Sequence, residues 1–149
     1  MIIKRTDFNV VRKGLELFAI GGKTYDIDKN EIFTDSIEIY TISTNLWNIE
    51  LSLEDKKSNI SSILLNNRIL LVGGKNESIT FNKTEYIIKK EWIYISSTDV
   101  PKFNHEVEII DNKIVVIGGL GPFGNSTNNI TYFDNSKNMY SSISKYTSL

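Results

Sequence analysis

The chain has 149 residues, a formal net charge of −1 and 40% hydrophobic residues, which is enough apolar sequence for one folded unit of this length. Charge this close to balance gives no overall field that would attract nucleic acid or an anionic membrane surface, so neither is predicted as a partner. The absence of cysteine excludes disulfides, thiolate metal sites and a cysteine nucleophile, and it fits a reducing compartment.

The beginning of the sequence shows no targeting signal. Residues 1–9 lack the uninterrupted apolar segment of a secretory signal. No run of about 18 apolar residues, the length of a membrane-spanning helix, occurs in the sequence. We therefore expect a cytoplasmic protein.

A repeated apolar strand is the first element predicted in chain order. Residues 17–20 form an apolar run closed by a glycine pair, and the arrangement returns twice, at intervals of roughly 45 to 52 residues. An apolar run without polar alternation predicts a β-strand buried on both faces. Glycine allows positive φ and the close approach of a neighbouring sheet. The three pairs are Gly21 and Gly22, Gly73 and Gly74, and Gly118 and Gly119.

Tight-turn residues precede each glycine pair. They are Lys13-Gly14, Asn66-Asn67 and Asp111-Asn112. Glycine, asparagine and aspartate tolerate the left-handed conformations of a two-residue turn, so each repeat is predicted to open with a β-hairpin. In the first repeat the turn is predicted to be displaced by one residue relative to the other two.

Pairs of aromatic residues follow each glycine pair, beyond a polar loop of variable length. The first aromatic residue of each pair lies in a strand-like stretch, and the second comes six or seven residues later, where a fourth strand is predicted. Large rings suit outer strands, where neighbouring sheets splay apart and the wedge between them must be filled. The pairs are Tyr40 and Trp47, Tyr86 and Trp92, and Phe133 and Tyr140.

An apolar strand, a glycine pair, a loop, an aromatic strand, a short turn and a second aromatic residue thus occur in order three times. This arrangement resembles the kelch repeat, and the resemblance covers nearly the whole chain. It implies an all-β fold, a partial kelch β-propeller of three four-stranded antiparallel blades over residues 1–51, 52–98 and 99–149. The isoleucine-, asparagine- and lysine-rich composition is also similar to that of poxvirus kelch-like (BTB-kelch) proteins.

Three blades are fewer than a closed propeller contains, since propellers typically have four to eight. The outer faces of the first and last blades, including residues 17–20 and 115–117, are therefore predicted to expose apolar surface. Three explanations stay open: a fragment of a longer kelch protein, self-association of two copies into a six-bladed ring, or a truncated gene product, which we rank first. Met1 falls almost at the first inner strand, so no BTB or BACK segment is expected.

The sequence predicts no enzyme. Copper radical oxidases share the fold that the resemblance implies, but they need a cysteine and two histidines, whereas this chain has no cysteine and one histidine, His105. Residues 26–30 begin a calcium-loop pattern that lacks the required glycine and glutamate. The glycine-rich residues 118–124 lack the Gly-Lys-Ser/Thr of a phosphate loop. Catalytic residues, metal ligands and cofactors are all predicted to be absent.

Three cations occupy the position at which kelch inner strands often begin with an arginine. These are Arg5, Lys57 and Lys102, and the resemblance implies that they surround one mouth of the channel and bind an acidic peptide. The alternative is that they are merely solvated. Tyr25 and Phe123, in loops after glycine pairs, are the predicted aromatic anchors of the same binding face.

The resemblance therefore implies a kelch-repeat protein-interaction module. Its most specific form is a viral kelch-like protein that engages host proteins or ubiquitin-ligase substrates in the host cytoplasm. The alternative function class is a structural or decaying fragment of a larger kelch protein, without activity of its own.

Overall fold

The computed structural model describes residues 1–88, 91–134 and 139–142. These residues form strands and no helix, so none of them belongs to a helix long and apolar enough to cross a membrane. The all-β prediction is confirmed. Residues 135–138 and 143–149 of the predicted third blade lie outside the described part of the chain.

Strands succeed one another along the whole described chain. Their bounds are β1 Asn9–Lys13, β2 Glu16–Ile20, β3 Lys23–Tyr25, β4 Glu31–Phe33, β5 Ser36–Thr41, β6 Leu46–Ser52, β7 Ser61–Leu65, β8 Arg68–Val72, β9 Lys83–Ile88, β10 Glu91–Ser97, β11 Glu106–Ile110, β12 Lys113–Ile117, β13 Ile130–Asp134 and β14 Met139–Ser142.

Three four-stranded antiparallel sheets account for most of these strands. The first sheet has the order β1-β2-β5-β6, the second β7-β8-β9-β10 and the third β11-β12-β13-β14. The short hairpin of β3 and β4 is inserted between the second and third strands of the first sheet. The inner strand β7 lies between β1 and β11, so the sheets are arranged side by side around their inner strands, as in a partial propeller that is not closed.

The inner hairpins turn where the sequence predicted in two of the three sheets. Asn66 and Asn67 have φ of 49° and 62°, and Asp111 and Asn112 have φ of 48° and 59°, the left-handed values of a tight hairpin turn. In the first sheet Lys13 pairs with Glu16, which places the turn one residue later than the predicted Lys13-Gly14.

Apolar side chains fill both gaps between adjacent sheets. In the second strand of the second sheet, Ile69 and Leu71 face the first sheet, whereas Leu70 faces the third. This two-sided burial explains why the apolar run does not alternate with polar residues. Between the first two sheets the buried cluster comprises Val11, Phe18, Ile20, Ile37, Ile39, Leu53, Ile60, Ile69 and Leu71.

Whether the two aromatic residues of a predicted pair contact each other depends on their spacing in the sequence. Tyr40 and Trp47 face each other across β5 and β6 with ring centroids 5.2 Å apart, and Phe133 and Tyr140 do so at 5.3 Å. Trp92, spaced six residues from its aromatic partner instead of seven, is paired with Ile87 and points to the opposite face. Its indole nitrogen donates a hydrogen bond of 2.8 Å to the Ser52 carbonyl, linking the second sheet to the first.

Candidate functional site

One end of the three sheets carries both the starts of the inner strands and the loops after the glycine pairs. Asn9, at the start of β1, is paired with Ile20, at the end of β2, and the other two sheets repeat this pairing. We call this end, with the loops at residues 23–35, 75–82 and 120–128, the loop end. The predicted anchors and cations all belong to segments at this end.

Arg5 is buried, and its guanidinium is used inside the first sheet. It donates to the carbonyls of Gly21 and Ser36 at 2.8 and 3.0 Å and forms an ion pair of 2.6 Å with Glu38. Burial by itself raises the pKa of Glu38. The backbone N–H groups of Ile2 and Ile3, together with Arg5, outweigh that effect and lower the pKa below its usual value.

Lys57 repeats this arrangement in the second sheet. It is 1% exposed and pairs with Glu85, and its ammonium lies 5.2 Å from the centroid of the Phe81 ring. A buried ion pair that is also hydrogen-bonded fixes the segment before the inner strand to the third strand of the same sheet. Glu38 and Glu85 therefore have the same structural role.

Lys102 lies at the equivalent position of the third sheet but faces no carboxylate of this kind. It is 0% exposed, and its Nζ has no hydrogen-bond partner within residues 1–88, 91–134 and 139–142. The sheet position held by glutamate in the first two sheets is Thr131. Desolvation by burial lowers the pKa of Lys102, an effect that the Asp99 carboxylate opposes without cancelling.

The three cations are buried, whereas the sequence analysis predicted them around an exposed mouth of the channel. Arg5 and Lys57 already satisfy their charges within the fold, so neither presents charge to a partner. The sequence signal that would have shown this is the pair of acids, Glu38 and Glu85, at one repeat position. Each of these acids is the third residue of the third strand of its sheet.

The predicted aromatic anchors are exposed at the loop end. Phe123 is 97% exposed and Tyr25 61% exposed. Ile27, which the sequence analysis missed, is 97% exposed in the same loop as Tyr25. Single exposed apolar residues are common on any surface, but three on the first and third loops at one end of the molecule form a set of contact points.

Internal hydrogen bonds shape these loops. The Asp26 carboxylate accepts from the backbone N–H groups of Asp28 and Asn30, and these hydrogen bonds lower its pKa. The residues that resembled a calcium loop thus form an Asx turn. In the third loop, Gly121 N–H donates to the Asn125 carbonyl at 2.9 Å.

Among residues 1–88, 91–134 and 139–142, two clefts open at the loop end. One, of about 290 Å³, lies between the β3–β4 hairpin and the second loop and is lined by Ile32, Phe33, Lys56, Asn76, Glu77 and Ser78. The other, of about 350 Å³, lies where the three inner strands begin and is polar. Its exposed groups include Asp7, Asn104 and Glu106, and Asn59 donates to the Asn104 side chain at 2.6 Å.

His105 lines the second cleft but is itself buried. Desolvation and the nearby charge of Lys102 lower its pKa to about 4, an effect that the Val72 backbone opposes. In the described part of the chain, His, Asp and Glu side chains do not gather into any group of three or more able to hold a metal ion.

Several known proteins are similar to this chain in sequence. The sequence matches no protein-family model. Kelch repeat and BTB domain-containing protein 1 of vaccinia virus (strain Copenhagen) is 28% identical over 134 residues, which are 86% of this chain and 23% of the relative. The protein of that name from camelpox virus (strain CMS) is 28% identical over 122 residues, 78% of this chain and 21% of the relative. Kelch-like protein 24a of Danio rerio is 28% identical over 109 residues, 73% and 18% respectively.

Fold and relatives together define the class of protein. The fold is that of a partial propeller, an all-β protein built of four-stranded sheets packed face to face. The relatives, matched over most of this chain, relate it to the kelch-repeat proteins, as the repeat pattern predicted. The chain spans about a fifth of the length of the curated relatives it matches.

Proposed function

We propose that this chain is a non-enzymatic protein-interaction module that binds a partner polypeptide at the loop end. The observation that supports it most directly is the exposure of Phe123 and Tyr25 on hydrogen-bonded loops at the same end of the sheets as two clefts. Aromatic side chains on ordered loops lose little conformational entropy on binding, which is why they often dominate the affinity of protein interfaces.

The exposed aromatic residues at the loop end favour a partner with an apolar side chain, and the exposed carboxylates there favour one with hydrogen-bond donors. The polar cleft exposes the carboxylates of Asp7 and Glu106 beside the Asn104 amide. Such groups accept hydrogen bonds from backbone N–H groups or basic side chains. An acidic peptide, which the sequence suggested, is the alternative partner, and the exposed Lys56 at the rim of the other cleft is the cation that would receive it.

The biological setting is proposed from the relatives. Several of them are poxvirus proteins whose names combine kelch repeats with a BTB domain. We place this module in the host cytoplasm, where it engages host proteins and acts as an adaptor or a competitor in ubiquitin-ligase recruitment. The competing proposal is a structural or decaying piece of a larger kelch protein with no partner of its own.

Affinity capture from host cytosol separates these proposals when it includes matched variants. The test variant is Tyr25→Ala with Phe123→Ala, and the control is Tyr94→Ala, which removes an exposed ring from the outer strand β10. We expect one or more reproducible partners, lost at least tenfold in the double variant and retained by the control. Equal capture by all three proteins contradicts the loop-end site, and no reproducible partner favours the fragment.

The outer face of the third sheet supports a second interaction, with another copy of the chain. An apolar cleft of about 370 Å³ opens on this face beside Val115, Ile117, Ile130 and Tyr132. We propose that two copies join through their terminal sheets, which would bring the blade number to that of a closed propeller. The first sheet is less open than predicted, because Ile2 and Ile3 donate to Glu38 and cover part of its outer face.

A further inference from the structure

The segments that lead into the three inner strands are equivalent in the structure. Each cation immediately precedes a residue that forms an isolated antiparallel bridge with the residue after a glycine pair. The bridges are Thr6 to Lys23, Ser58 to Lys75 and Phe103 to Leu120. Arg5, Lys57 and Lys102 therefore enter their sheets at the same place.

The third-strand residues Glu38, Glu85 and Thr131 are also equivalent. Each is paired, in the third strand of its sheet, with the residue two positions before the first glycine of the pair. The register gives Glu38 opposite Ala19, Glu85 opposite Leu71 and Thr131 opposite Val116. Two repeats thus have a buried carboxylate at this position, and the third has a hydroxyl.

The third repeat consequently keeps the cation and lacks the anion. Lys102 and Thr131 are both 0% exposed, and Lys102 Nζ and Thr131 Oγ1 have no hydrogen-bond partner in the described residues. A buried ammonium without a partner is unfavourable, because it has lost its hydration and gained no hydrogen bond in return. A buried hydroxyl without a partner adds to that cost.

Steric and electrostatic conditions at this position both suit a small anion. Threonine is shorter than glutamate and has no carboxylate, and Thr131 Oγ1 makes no hydrogen bond to Lys102 of the kind that Glu85 accepts from Lys57. The neighbouring His105 ring is neutral near pH 7 because its pKa is about 4, and Lys102 contributes to that shift. The Asp99 carboxylate acts on Lys102 in the opposite sense, but the effect of burial is larger.

We propose that the third repeat binds a carboxylate-sized monoanion between Lys102 Nζ and Thr131 Oγ1, at the position that the Glu38 and Glu85 carboxylates occupy in the first two repeats. The ammonium donates charge-assisted hydrogen bonds to one or both anion oxygens, and the threonine hydroxyl donates another. The bound anion would link the segment before β11 to β13, as the glutamates do elsewhere. Formate is the smallest probe with this chemistry.

Thermal unfolding of the full chain in sodium formate tests the site. Ionic strength is kept constant with sodium gluconate, whose anion is too large for the space left by threonine. We expect the wild-type midpoint to rise by roughly 3 °C at ten times the dissociation constant. The Thr131→Glu variant supplies its own carboxylate, so its midpoint should not change with formate.

The second repeat provides the matched control. Glu85→Thr creates the third repeat's arrangement around Lys57, so this variant should become less stable and gain a formate-dependent midpoint. A wild-type midpoint that is independent of formate overturns the proposal, as does an equal response of wild type and Thr131→Glu.

A second measurement applies if Thr131→Glu does not fold. The wild-type chain should broaden the NMR line of chloride, and formate should reverse that broadening by competition. The Lys102→Met variant should leave the line sharp. Broadening of the same size by Lys102→Met shows that the anion binds elsewhere and rejects the site.

Discussion

The buried cations Arg5, Lys57 and Lys102 occupy one position of the repeat but have different neighbours. Arg5 and Lys57 each form an ion pair with a carboxylate within the fold, whereas the third sheet has Thr131 at the equivalent strand position. A buried pair contributes little net stability relative to an apolar pair, but loss of one member leaves the other charge uncompensated. The effect of removing the cation should therefore depend on the repeat.

Lysine-to-methionine substitutions test this difference directly. Lys57→Met leaves Glu85 buried and unpaired, so the free energy of unfolding should fall by about 3 kcal/mol or more. Lys102→Met removes an unpaired charge and should leave the free energy of unfolding unchanged or raise it by about 1 kcal/mol. Denaturant titration in buffer of low anion content measures both values, and equal losses in the two variants would show that Lys102 has a partner equivalent to Glu85.

The buried imidazole of His105 predicts a pH dependence. Its pKa of about 4 in the folded chain lies below the value of 6.5 in the unfolded chain. Between these values the unfolded chain binds more protons, so the free energy of unfolding should fall as pH is lowered from 6.5 to 4. At about 1.36 kcal/mol per pKa unit, the full loss is about 3 kcal/mol.

The His105→Gln variant isolates this contribution from that of the carboxylates. Its free energy of unfolding should depend less on pH over the same interval, when both proteins are measured by denaturant titration at pH 7, 6, 5 and 4. Identical pH profiles for the two proteins would mean that the imidazole is protonated in the folded state at its ordinary pKa.

At the scale of strands and turns, the sequence predicted that a buried strand precedes each glycine pair, and these strands are the second strands of the three sheets. It explained only in part why glycine is needed there. The structure adds the reason for the glycines: a Cβ on Gly21 would lie 2.5 Å from the Lys57 carbonyl oxygen, and one on Gly73 would lie 2.4 Å from that of Lys102. These contacts depend on the next sheet, which local sequence does not specify.

Gly118 differs from its two counterparts and allows a matched test. It also has positive φ, +65° against +60° at Gly73, but no atom outside its immediate neighbours lies closer to its added Cβ than 3.7 Å. Gly118→Ala should cost only the left-handed conformation, about 1 kcal/mol, and Gly73→Ala about 2 kcal/mol more because of the clash. Thermal or denaturant unfolding compares them, and equal costs would mean that the next sheet does not require glycine.

The turn of the first hairpin shows where sequence reasoning failed locally. Glycine at position 14 satisfies the first turn position, and Leu15 follows it without needing positive φ. In the other hairpins two consecutive polar residues mark the turn, whereas here the polar residue next to Gly14 is Lys13, which was therefore predicted as a turn residue. The pairing of Lys13 with Glu16 decides the register, and it arises from the alignment of the apolar strands.

For the molecule as a whole, the number of repeats determines whether the outer faces of the first and third sheets are covered. The sequence predicted three blades and unfilled terminal faces, and the structure shows three sheets in an arrangement that is not closed. The contacts of Ile2 and Ile3 that cover part of the first sheet's outer face were not predictable from the repeat. On the third sheet, Ile110 and Ile117 remain exposed beside an apolar cleft.

Sedimentation velocity over a concentration series tests most directly the claim that these sheets form an open stack requiring a neighbour. We predict species larger than the 17.0 kDa monomer as concentration rises, because exposed apolar sheet faces associate. Gly118→Ala should weaken this association if the partner approaches the glycine as closely as the second sheet approaches Gly21. A 17.0 kDa monomer at every concentration, unfolding in one cooperative transition, would contradict the claim and show that three sheets suffice.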